Sequence, residues 1–164
     1  MTTATPETTE TPRDRPATPP GGGDLRWILS ILPHRFPMLL VDRVLEIEPK
    51  RRLVAVKNVT YNESYLQGHF PEHPIVPGVL IIEGMAQAGG LLLLHDLPDR
   101  EGKLVYFTSI DEARFRRPVV PGDVMRYEIE VLRLRPSYAK LRGRVTVDGI
   151  LTTEAVLACA TVDR

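Results

Sequence analysis

Cysteine is nearly missing from this chain, net charge is missing altogether, and no apolar run is long enough to span a bilayer. The single Cys159 excludes an internal disulfide and a cysteine-based metal cage. Its setting in "AVLACATV" reads as a small buried apolar side chain, which suits a reducing compartment. With 21 basic and 21 acidic residues, whole-molecule electrostatics gives no argument for nucleic acid or an anionic membrane. The most apolar stretch, Val79 to Leu94, falls short of the roughly 18 residues a membrane span needs, and it carries Glu83, Gln87 and three glycines. The first 23 residues contain seven threonines, five prolines and three glycines but no leucine, isoleucine, valine or aromatic, so they cannot contribute to a core. With no apolar leader, no secretory signal is read. The expectation is a disordered tail over 1–23 and one domain over 24–164, in a soluble, cytoplasmic protein; 164 residues suits that size.

Within the domain, Asp24 is placed to cap a short helix in which Leu25, Ile28, Leu29 and Leu32 recur at helical spacing, with Pro33 ending it. Met38 to Ile47 and Leu53 to Val59 read as two strands around "EPKRR". Pro77-Gly78 opens a helix reaching about His95. Beyond it the pattern has period two. Tyr127, Ile129 and Val131 alternate with Arg126, Glu128 and Glu130, Leu141, Val145 and Val147 alternate with Arg142, Arg144 and Thr146, and Asp148-Gly149 is a hairpin turn. Adding Lys103 to Ile110, Ala113 to Val119 and Leu151 to Val162 gives about seven strands and one long helix.

That helix is apolar around nearly its whole circumference and must be buried on most sides. Gly84, Gly89 and Gly90 together cost roughly 3 kcal/mol relative to alanine, which close packing has to offset. A long helix wrapped by an antiparallel sheet, an α+β domain, meets both demands. Glu83 and Gln87, four apart, share one narrow face where the wrapping must open. On the residues alone, Glu83 is either a functional acid or a structural one paired with an arginine.

His69 lies in "GHFPEHP", where Gly68, Pro71 and Pro74 stiffen the backbone and fix the direction of the ring. His73 follows at the spacing of a helical metal pair, but the prolines forbid the helix, so no metal site is read. His34, His73 and His95 are expected to be ordinary histidines satisfied by hydrogen bonds.

The segments "LPHRFPMLLVDRV", "AVKNVTYNE", "GHFPEHPIVPGVLIIEGMAQAGG" and "SIDEARFRRPVVPGD" occur in this order. From Leu25 to the C-terminus the chain resembles the 3-hydroxyacyl-[acyl-carrier-protein] dehydratases of the FabZ type, which have a hot-dog fold. The resemblance implies that His69 and Glu83 are the catalytic pair and that 3-hydroxyacyl chains on acyl carrier protein become trans-2-enoyl chains in fatty-acid elongation. It further implies a homodimer with a site shared between chains, assembling to a hexamer.

The residues suit such chemistry. Elimination of water across C2 and C3 of a thioester needs a base for the C2 proton, an acid for the hydroxyl, and a donor for the developing enolate oxygen. Imidazole suits the first task, and a carboxyl among Val79, Ile82 and their neighbours suits the second because burial favours its protonated form. The amide of Gly78, at the start of the long helix, is the candidate donor. No metal or organic cofactor is required, since the donor activates the thioester.

The resemblance also places a tunnel-gating aromatic at Tyr106, with Phe107 as the alternative position and a packed core aromatic as the rival reading, and it puts Val76 where relatives often carry phenylalanine. Arg114, Arg116 and Arg117 around Phe115 are a candidate contact for the acidic carrier protein or its phosphopantetheine phosphate, against a plain solvated face. Strand alternation puts Arg116 and Arg117 on different faces. The rival readings are a bifunctional dehydratase/isomerase, disfavoured because that branch typically has aspartate at Glu83, a hot-dog thioesterase, and a non-catalytic scaffold that binds acyl carrier protein.

Overall fold

The computed structural model describes residues 22–163; the expectation of disorder over 1–21 falls outside them. Gly22 and Gly23, assigned to the tail by composition, lie against the sheet. Gly23 exchanges two backbone hydrogen bonds with Val44, at 3.0 and 2.9 Å. Gly22 takes φ 108° with its Cα hard against the Val44 carbonyl, where a Cβ would sit 1.9 Å from the oxygen, so only glycine fits.

Helix α1, Leu25–Leu29, starts as expected, with the Asp24 carboxylate accepting from Trp27 N at 2.9 Å. The strands are β1 (Arg43–Glu48), β2 (Arg52–Asn58), β3 (Lys103–Phe115), β4 (Val124–Arg135), β5 (Tyr138–Val147) and β6 (Ile150–Asp163), and helix α2 is Gly78–Leu94. All six strands form one antiparallel sheet in the order β1-β2-β4-β5-β6-β3. Asp148 and Gly149 both take positive φ, 50° and 77°, at the β5–β6 hairpin.

Two expectations are corrected. The described residues hold six strands, not seven, because Lys103–Ile110 and the first part of Ala113–Val119 belong to one strand, β3, which ends at Phe115. The pairing of β3 with β6 shifts between Asp111 and Arg114, where Glu112 has φ 54°, and that irregularity breaks the alternation that would have revealed continuity. The strand expected from Met38 begins only at Arg43. Met38 to Asp42 is irregular; the Gln87 side chain satisfies two of its backbone groups, with Leu40 N donating to Oε1 (2.8 Å) and Nε2 donating to Met38 O (2.6 Å), and only Asp42 N reaches β2, at Val56 O (2.9 Å).

Helix α2 packs on β2, β4, β5 and β6, so the hot-dog arrangement of one long helix wrapped by one sheet holds the core. Ile81, Ile82, Met85, Leu91, Leu92 and Leu94 are all buried. At about 1.5–3 kcal/mol for each such side chain, this burial outweighs the helix-propensity cost of the three glycines several times over. The alternation on β4 and β5 delivers Tyr127, Ile129, Leu141 and Val145 to the helix while the charged partners face outward. Close approach requires small residues. A Cβ on Gly84 would lie 2.2 Å from the Tyr127 hydroxyl, and one on Gly143 would lie 2.6 Å from Met85 Sδ. No helix among the described residues is long and apolar enough to cross a membrane.

Gly84→Ala is therefore expected to lose about 1–3 kcal/mol of stability through overpacking, despite the gain of about 1 kcal/mol that alanine brings to an open helix position. Gly90→Ala, whose Cβ meets only a Leu32 methyl at 3.3 Å, should be close to neutral or stabilising. Thermal melting of the two variants checks this; equal effects would contradict the packing.

Candidate active site

His69 stands in the loop before α2 and is clamped at two points by one residue. Its carbonyl accepts from Ile75 N (2.9 Å), and its ring Nδ1 lies 2.9 Å from the Ile75 carbonyl. A carbonyl can only accept, so Nδ1 carries the hydrogen and Nε2 presents its lone pair. The ring stacks on Phe70 at 4.2 Å. Val76 N donates to Val119 O at 2.8 Å and ties the loop to the chain beyond β3. Lys57, buried, ties its earlier part to the sheet through Glu63 (2.5 Å) and Asp42 (3.5 Å).

The His69 groove is also lined by Gly78, Val79, Phe115, Arg116 and Arg117, with Val76 buried in its wall. Pro77 caps α2, Leu80 N and Ile81 N donate to Pro77 O, and the Gly78 and Val79 N–H groups have no partner among the described residues. The Phe115 ring covers Gly78 so closely that a Cβ there would sit 2.6 Å from the ring. That contact, invisible in the sequence, is what demands glycine here.

Glu83 faces elsewhere. It lines a second cavity with His34, Ala86, Gln87, Tyr106, Phe107 and Cys159. The acid is less isolated than the sequence suggests. Its side chain is 24% exposed, Gln87 Nε2 donates to its Oε1 at 2.9 Å, and His34 Nε2 is 3.5 Å from the same oxygen. No arginine is among its partners within the described residues. The expected Glu83–Gln87 face is thus a hydrogen-bonded pair, and the same Gln87 holds the Met38–Leu40 backbone.

His34 departs from expectation. Instead of being satisfied by hydrogen bonds, it has a buried Nδ1 without a partner among the described residues and turns Nε2 toward Glu83. His95 does bond as expected, Nδ1 to Leu92 O at 3.1 Å, while His73 is exposed. His34 and Glu83 are 49 positions apart, so no periodicity could join them. Tyr106 and Phe107 are not core aromatics: they are 56% and 39% exposed, and both line the Glu83 cavity.

The three arginines do not form one free patch. Arg114 and Arg116 share Glu154, and the Arg116 guanidinium, aided by Arg114 and Arg144, holds that carboxyl below its usual range. Arg116 and Arg117 line the His69 groove, whereas Arg114 does not.

A hot-dog domain with a histidine groove at the start of its helix and an acid cavity one turn further along is thereby defined. The model of the FabA-like domain matches residues 32–156. At 51% identity over 141 residues, covering 86% of each chain, the protein is similar to the 3-hydroxyacyl-[acyl-carrier-protein] dehydratase FabZ of Solibacter usitatus. The FabZ enzyme of Koribacter versatilis is 52% identical over 141 residues, covering 86% of this chain and 90% of its own. Among solved structures, the dehydratase heterocomplex ApeI:P from Xenorhabdus doucetiae aligns with TM-score 0.72 at 19% identity over 84% of this chain and 91% of that one, a likeness of fold. The chain belongs to the FabA-like domain family.

Cys159 supplies a check on the Glu83 cavity. Burial pushes its thiol up to about 11. At pH 8 about one thiol in a thousand would be thiolate in the native protein, against roughly a quarter in an unfolded chain with the ordinary value of about 8.5. Labelling by a disulfide reagent at pH 8 should be at least about a hundredfold slower than in denaturant. Rapid native labelling would mean that this wall is open.

Proposed function

We infer that this chain is a 3-hydroxyacyl-[acyl-carrier-protein] dehydratase of fatty-acid biosynthesis in which His69 is the base and Glu83 the acid. The observation that carries the reading is the identity of about half of all residues with FabZ enzymes across nearly the whole domain, on a fold that presents a fixed imidazole and a cavity carboxyl along one helix. His69 Nε2, left basic by the Nδ1–Ile75 bond, takes the C2 proton. Glu83 gives its proton to the C3 hydroxyl, which departs as water, and the C2–H electron pair becomes the new double bond. The free amides of Gly78 and Val79 supply hydrogen bonds to the thioester oxygen as charge builds there. Proton transfer through solvent from His69 to Glu83 resets the pair.

The acyl chain is assigned to the apolar walls around Glu83, with Tyr106 and Phe107 at their rim. The acyl carrier protein is assigned to the His69 side, where Arg116 and Arg117 stand; Arg117 has no ion-pair partner among the described residues. His69 and Glu83 line different cavities of one chain, so the working site is proposed to need two copies. Supporting this is β3, an edge strand of thirteen residues that exposes Tyr106, Phe107, Ile110 and Phe115, the last of which lines the His69 groove with the 71% exposed Val79. A hexamer of three such dimers, and a place in the cytoplasm, rest on the family alone.

Incubation with a 3-hydroxyacyl-carrier-protein followed by mass analysis separates the rivals. Loss of one water is expected; release of free acid would instead indicate the thioesterase, and an unchanged substrate the scaffold. Glu83→Gln, which keeps size and some hydrogen bonding, should cut kcat by at least about a hundredfold with little change in KM.

A further inference from the structure

One half-buried imidazole, that of His34, takes no part in the chemistry described so far. We propose that His34 is a positioning residue for Glu83: by donating from Nε2 to Oε1, together with Gln87, it fixes the carboxyl so that Oε2 is the oxygen that works on substrate. The proposal rests on the assignment of Glu83 as the acid.

Three observations converge on it. Gln87 Nε2 at 2.9 Å and His34 Nε2 at 3.5 Å both approach Oε1, while no described residue engages Oε2. Gln87 already bonds that oxygen, and a second bond from His34, whose Nε2 stands 3.5 Å away, restricts rotation about the last carboxyl bond and keeps the other oxygen in one place. The second observation is the orphan Nδ1. A buried N–H without an acceptor costs more than a bare lone pair, so the tautomer with hydrogen on Nε2 is favoured, and that hydrogen lies toward Glu83. The third is that the ring is mounted rigidly. Arg35 folds back to donate to Leu32 O (2.7 Å), His34 O (2.7 Å) and Leu29 O (3.1 Å), stapling the chain after α1, and Pro33 stiffens it from the other side. Gln87 in turn holds the segment that follows, at Met38 and Leu40. Both neighbours of the acid are thus fixed to α1, α2 and the irregular segment between α1 and β1. His34 itself is one-third exposed on its side chain, so replacing it removes little core.

The decisive variants are His34→Phe, which keeps a flat ring without a donor, and His34→Gln, whose amide nitrogen reaches about as far as Nε2. His34→Phe is expected to lower kcat about ten- to a hundredfold while KM changes less than about threefold; His34→Gln should recover most of the loss. In the double variant His34→Phe/Glu83→Gln the loss should scarcely exceed that of Glu83→Gln alone, because one residue acts through the other. Melting curves confirm that each variant folds, and a variant that fails to fold is replaced by His34→Leu or by His34→Asn in the same comparison. Wild-type kcat in folded His34→Phe, equal losses in the Phe and Gln variants, or multiplicative losses in the double variant would each overturn the proposal. If Glu83→Gln itself retains full activity, the assignment of the acid fails instead.

Discussion

An α-helix that is apolar on almost every side can exist in water only if something encloses it, and the enclosure of α2 determines the rest of this molecule. The sheet approaches closely because glycine faces Tyr127 at position 84 and Met85 at position 143. The long buried row from Ile81 to Leu94 then sets the helix rigidly, and with it the two features that matter chemically: free amides at Gly78 and Val79, and a carboxyl at Glu83. Both sit where the wrapping stops. The same constraint excludes water from Tyr127, whose phenol is pushed far above its usual range by burial.

The geometry around His69 and Glu83 is set by hydrogen bonds from outside the strand ladders. Ile75 holds both the backbone and the ring of His69. Gln87 holds Glu83 with one amide hydrogen and the Met38–Leu40 backbone with its remaining polar capacity. A buried, fully engaged amide of this kind rigidifies a site at the same time as it specifies the local chain path. The proposed acid, Glu83, and the proposed base, His69, are consequently held by different parts of the fold.

Local signals in the sequence were legible where one residue type solves a local problem. Asp24 as a cap, Pro77-Gly78 as a helix start, Asp148-Gly149 as a hairpin and the alternation on β4 and β5 are each found where their chemistry places them. The failures have an equally physical origin. An irregularity at 111–114 conceals the continuity of β3, and the apolar run from Met38 reads as strand although a side chain satisfies two of its backbone groups. His34 beside Glu83 is a tertiary contact with no periodic trace. His69 and Glu83 stood out because prolines and apolar neighbours isolate them, but nothing local indicates that they line separate cavities.

The proposed shared site rests on that separation, with His69 in a groove at the start of α2 and Glu83 in a cavity beside β3. Subunit mixing tests it most directly. Inactive His69→Ala and inactive Glu83→Ala proteins are unfolded together in equal amounts and refolded, so that about half of the dimers are mixed by random pairing. In a shared-site dimer, one site of a mixed pair inherits both defects and the other inherits neither. Activity near a quarter of wild type, with mixed dimers confirmed by native mass spectrometry, is the expected result. Confirmed mixing with no recovered activity would show that histidine and acid act within one chain and would contradict the account.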